Sequence, residues 1–143
     1  MTLSGKSDVQ DWRIILCHKH PFSARMSFLV PDGAGVVFPD PLPPLAVIAG
    51  TAQDPQIQRH PSVALRHLQE LIGVNRTISL VGEFELFIET ADGLLPVYLA
   101  ALEGNELFEP PAGMRWVELL QCVQRPWLER ELLRRAYDAM MTG

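Results

Sequence analysis

The sequence predicts a mixed α/β domain, and three observations point to it. Apolar residues recur at helical spacing within residues 61–73 and again within 126–141. Segments rich in β-branched residues, bounded by Gly, Pro and Asp, fill most of the first two-thirds of the chain. Hydrophobic residues make up 48% and charged residues 20%, a balance that suits a buried core and excludes a disordered chain. At 143 residues the chain fits one domain, residues 1–143.

The elements follow in order. "WRIILC" (residues 12–17) reads as a strand that ends in the polar "HKHP", a turn before Pro21. "RMSFLV" (25–30) is a second strand and meets the turn signal "PDG"; "GVVF" (35–38) is placed to pair back across it as a hairpin. "PDPLPP" holds four prolines in six residues, which excludes a helix and leaves an extended connection to a buried strand "LAVIAG" (45–50). A polar loop, residues 51–61, delivers the chain into the helix "HPSVALRHLQELIGV" (60–74). Ser62 is suited to cap that helix, and Gly73 to end it in the left-handed conformation. "RTISLVGEFELFIET" (76–90) is extended and turns at Asp92-Gly93 into "LLPVYLAAL" (94–102), a long hairpin. An acidic loop, "EGNELFEPPAG" (103–113), leads to a short strand "MRWVELL" and a closing amphipathic helix opened by Pro126. Glu131 and Arg135 on that helix form a favourable i, i+4 pair on a solvated face.

Charge and composition narrow the function. The net charge of −5 is spread along the chain without a basic stripe, so binding to a nucleic-acid backbone is not expected. The polar start lacks a secretory apolar region, and no apolar run is long enough to span a bilayer; a cytoplasmic protein without a membrane partner is the expectation. Cys17 and Cys122 have no CxxC partner and read as buried thiols. Trp12, Trp116 and Trp127 read as core residues or as part of a dimer seam.

At about 100° per residue, Ala64, Leu65, Leu68, Leu71 and Ile72 form one apolar arc of the first helix, opposite Val63, Arg66, His67, Gln69 and Glu70. Positions 67, 70 and 71 share one surface patch, which offers one imidazole, one carboxylate and one hydrocarbon. A hard divalent cation asks for several oxygen ligands, so this patch is poor in donors.

Read as A-x-R-x-L-x-E-x-x-G-V, residues 64–74 resemble the helical half of a Nudix box. Arg66, Leu68, Glu70, Gly73 and Val74 match the pattern, while His67 and Leu71 stand where glutamates are expected. The upstream glycine and glutamate would fall on Ala52 and Gln58, which do not match. The strands, acidic loop and closing helix that follow also resemble the family, so the resemblance covers about residues 12–141. It implies an α/β/α sandwich with a mixed sheet, and ancestry among enzymes that cleave nucleoside diphosphates linked to another group. There, paired glutamates hold Mg²⁺ or Mn²⁺. With two of those glutamates replaced, the expectation is a non-hydrolytic module, homodimeric, that binds a nucleotide or another phosphate-containing small ligand and needs no cofactor. The alternative is a divergent Mg²⁺- or Mn²⁺-dependent hydrolase. Its metal would sit on Glu70 with His67 and on Glu83 and Glu85, with Glu89 on the same strand face and a glutamate of the acidic loop (Glu103, Glu106 or Glu109); Arg66 would position the substrate.

Two weaker sets complete the candidates. His67, Glu70 and His60 could form a transition-metal site, and His18 with His20 could bind metal weakly. A surface helix face and a polar turn are the simpler readings of each.

Overall fold

Six consecutive buried residues, from Arg13 to His18, make β1 (Arg13–Lys19) an interior strand with both faces covered. Its neighbours in the sheet are β2 (Met26–Pro31), antiparallel, and β6 (Gly93–Leu102), parallel, so the sheet is mixed. The computed structural model describes residues 12–33, 35–49 and 61–142. The other strands are β3 (Val47–Ile48), β4 (Ile78–Leu80), β5 (Leu86–Thr90) and β7 (Met114–Val117). They run in the order β3-β5-β6-β1-β2-β7, and β4 pairs with the second half of β6, beyond β5.

Alternation along β1 divides the interior into two cores. Ile14 and Leu16 pack with Trp12, Leu29 and Phe38 beneath α1 (Pro61–Ile72), which contributes Ala64, Leu68 and Ile72. Ile15 and Cys17 pack with Phe28, Ile88 and Leu99 beneath α2 (Trp127–Thr142), which contributes Leu132, Leu133 and Ala136. One helix therefore covers each face of a mixed sheet, an α/β/α sandwich. Lys19, at the end of β1, donates from Nζ to the Met140 carbonyl at 3.2 Å and places a cation at the C-terminal end of α2.

The hairpin at Asp92-Gly93 forms as its sequence requires. Thr90 pairs with Gly93, whose φ of +125° suits glycine, and the Thr90 hydroxyl donates to the Gly93 carbonyl at 2.8 Å. Both cysteines are buried, and burial pushes the Cys17 thiol up to about 12.

Several local expectations need correction. Residues 35–38 form no hairpin with β2, because β1 and β7 already occupy both of that strand's edges. They contribute a single bridge instead, with Ile14 and Phe38 exchanging backbone hydrogen bonds of 2.9 and 3.0 Å. Of the buried strand expected at 45–50, the described residues 45–49 form only the two-residue β3 at the sheet edge, where Val47 is exposed. Residues 76–90 break into β4 and β5 at a turn in which the Phe84 amide donates to the Val81 carbonyl. β1 runs on through His18 and Lys19 and stops before His20, so His18 is buried in the sheet instead of lying in a turn. Ser62 lies inside α1, which already begins at Pro61. Trp116 is partly buried against Phe108, whereas Trp127 is exposed and so is not a core residue, the first of its two readings.

Candidate functional site

α1 is held in place by one row of side chains. Ala64, Leu68 and Ile72 recur at four-residue spacing and are at most 3% exposed, so they fix which face of the helix meets the sheet. Pro61 at the first turn is compatible with helix, since its missing amide would have no partner there. At the other end the Gly73 amide donates to the Gln69 carbonyl at 3.0 Å, with φ at +66°.

The register sets the fate of each candidate residue. Arg66 and Glu70 are exposed. His67 is half-buried, with its ring edge-on to the Trp12 indole at a centroid distance of 5.4 Å and an interplanar angle of 86°. His67 Nδ1 is buried and has no hydrogen-bond partner among the described residues. Leu71, assigned from sequence to the apolar arc, is 42% exposed, and Val63, assigned to the opposite arc, is 51% exposed. The arc that meets the core is thus narrower than its sequence suggests, because Leu71 sits at its rim.

The carboxylates expected beyond the helix are distributed differently. Glu83 lies in the turn and Glu85 directly before β5, both exposed, so only Glu89 of the three lies within a strand. Glu89 is within β5 and opposite Val47 of β3. In the acidic loop, the Glu103 carboxylate accepts a short hydrogen bond from the Ser79 hydroxyl, while Glu106 and Glu109 are exposed. Among the described residues, no three His, Cys, Asp or Glu side chains form a group able to hold a metal ion. Ala52, Gln58 and His60 lie outside the described residues. The donors that α1 presents do not fit Mg²⁺ or Mn²⁺: one carboxylate, a hydrocarbon and a ring packed on an indole fall short of a hard-cation set.

The two histidines of "HKH" serve the backbone separately. His18 is 4% exposed, and its Nε2 donates to the Gly104 carbonyl at 2.9 Å. His20 Nδ1 accepts from the Phe22 amide at 3.1 Å and faces the Ser23 hydroxyl at 3.2 Å.

Sequence reasoning missed how firmly the acidic loop is fastened. Arg76 Nη2 donates to the carbonyls of Glu103 and Glu106 at 2.9 and 2.8 Å. Trp116 Nε1 donates to the Phe108 carbonyl at 2.9 Å. Gly104, at φ +103°, leaves room for the Arg76 guanidinium, which would lie 2.8 Å from a Cβ there. An arginine just after a helix is too common a feature to have signalled this role.

A second polar group sits under the start of α2. Glu129 Oε1 is buried, has no hydrogen-bond partner among the described residues, and lies 3.8 Å from Arg125 Nη1. Burial raises the Glu129 carboxyl above its ordinary range, and the Arg125 charge opposes that rise. Burial likewise raises the nearby Cys122 thiol, against the charges of Arg125 and Arg115.

No family model matches the sequence, and no curated protein matches it. Among solved structures, the chain is similar to C. elegans Ap4A hydrolase, with a TM-score of 0.53 and 18% identity over 90% of this chain and 94% of that one. It is also similar to Shewanella oneidensis NrtR complexed with a 27mer DNA, with a TM-score of 0.49 and 14% identity over 93% of this chain and 63% of that one. The DNA belongs to that regulator's structure alone. The fold is Nudix-like.

Proposed function

We propose that this chain keeps a Nudix-like fold without metal-dependent hydrolysis, and acts as a binding module for a small nucleotide or other phosphate-containing ligand. The observation that supports this reading is the outer surface of α1. Of the three positions where the resemblance calls for glutamate, only Glu70 carries a carboxylate; His67 packs on Trp12 and Leu71 is an exposed hydrocarbon. Neutralising and orienting a diphosphate through a metal takes several hard oxygen donors, and one exposed carboxylate is a weak anchor for such an ion. Binding asks less of the surface, because it needs neither a metal nor an activated water. A homodimer in the cytoplasm remains part of the proposal, and sedimentation across a concentration series tests the dimer.

The decisive test is turnover. The full chain is incubated with nucleoside diphosphate derivatives in Mg²⁺ or Mn²⁺, alongside Glu70→Gln. The expected outcome is no product above the buffer control, with ligand binding read as a rise in thermal midpoint, since a ligand that binds only the folded state stabilises it. Turnover that disappears in Glu70→Gln overturns the proposal and favours a divergent hydrolase whose metal is partly held outside the box.

A further inference from the structure

We infer that the half-buried His67 ring is turned from the ligand-facing surface of α1 onto the Trp12 indole at the edge of the core beneath it, and that α1 therefore carries no divalent-cation site. This rests on the non-hydrolytic reading above and makes it more specific, because an inactive enzyme can still bind metal. The argument begins with the ring. Its partner, Trp12, is 5% exposed and belongs to the core that holds Ala64, Leu68 and Ile72. An edge-on contact of 5.4 Å with such an indole fixes the imidazole from one side. Nδ1 is buried and, among the described residues, has no hydrogen-bond partner, so an ion could reach that nitrogen only by displacing the packing around it. One turn to either side, at 63 and 71, the helix shows valine and leucine. An ion at this surface would therefore keep Glu70 as its only oxygen ligand from α1.

The two positions that lack a carboxylate are not equivalent. At position 71 the side chain is 42% exposed, and a glutamate would meet water. At position 67 a glutamate would forfeit the aromatic contact and set a carboxylate against a buried indole. Restoring the box at 67 thus conflicts with the packing that seats the helix.

Two measurements on the full chain test this. First, MnCl₂ is titrated into the wild type and Glu70→Gln in a calorimeter. The expected result is no saturable binding up to millimolar Mn²⁺ in either protein; saturable binding lost in Glu70→Gln overturns the inference. Mn²⁺ binding without turnover would overturn it while leaving the proposed function standing, whereas turnover would remove both. Second, thermal midpoints are compared for His67→Phe, which keeps an aromatic ring, and His67→Glu. His67→Glu is expected to melt lower by about 5 °C or more, and His67→Phe to stay within about 2 °C of wild type. Equal midpoints for the two variants would show that the Trp12 contact does not hold position 67, and would overturn the inference.

Discussion

Glu129 and Glu131 lie two residues apart at the start of α2 and meet opposite surroundings. Glu131 accepts hydrogen bonds from Arg134 at 2.6 Å and Arg135 at 2.9 Å, which hold its carboxyl down to about 2. A depressed folded-state value means the contribution of this carboxylate is present at neutral pH and is lost progressively as pH falls from the ordinary carboxylate range through about 2. Glu129 behaves in the reverse sense, since burial raises its carboxyl and one oxygen lacks a hydrogen bond. Between the unfolded and folded values the native state holds more protons than the unfolded one, so stability falls as pH rises through that window. Its partner Arg125 also donates to the Gly33 carbonyl at 3.2 Å and so is not stranded when the carboxylate is removed. Glu129→Gln is therefore expected to gain on the wild type as pH rises from about 4 to about 7, by roughly 1 kcal/mol, the scale of a buried unsatisfied acceptor. Urea midpoints of both proteins across that range provide the check. A constant difference between them would mean that Glu129 does not titrate differently in the folded state.

On the scale of elements, α1 shows what periodicity captures and where it stops. Its existence, its glycine stop and its buried row were legible, because helical spacing and a left-handed C-terminal residue are local properties. Its boundary with the outside was less legible: a helical wheel joins Leu71 to the apolar arc, but the curvature of the sheet decides how far round the helix is covered. The Asp92-Gly93 hairpin was also fully local, and it formed. The edge strand β3 and the missing hairpin at residues 35–38 were not legible, since both depend on which sheet edges distant segments already occupy. For the same reason, the turn at Glu83 that interrupts the run, and the start of β5 only after Glu85, left no mark in the alternation. Leu68 and Leu71 turn this contrast into a measurement. Leu68 is 1% exposed, so Leu68→Ala is expected to cost about 2–5 kcal/mol. Leu71→Ala should cost less than about 1 kcal/mol, as its side chain is already 42% in water. Denaturant midpoints at constant slope give both values. Similar losses for the two would show that Leu71 is covered in solution.

At the scale of the molecule, the sheet separates two cores whose members alternate along β1. A mixed two-layered cover of this kind was foreseeable from two amphipathic helices among many strands, but which helix took which face was not, because handedness and strand order lie outside periodicity. The candidate site was legible to the same degree: the outline of a catalytic helix could be read, while the Trp12 contact that captured His67 joins residues 55 positions apart, 67 against 12, and leaves no local trace. The arrangement has an energetic consequence. Ile72 belongs to the core under α1 and Ile88 to the core under α2, with the sheet between the two packing layers. Each Ile→Val change deletes one methyl group and is expected to cost about 0.5–1.5 kcal/mol. Because they share no core, Ile72→Val and Ile88→Val should add to within about 0.5 kcal/mol in a double-mutant cycle. A coupling above about 1 kcal/mol would show that the sheet transmits packing strain from one face to the other. In that event α1 could not rearrange around a ligand without the α2 layer responding, whereas additivity leaves the helix of the candidate site free to adjust on its own core.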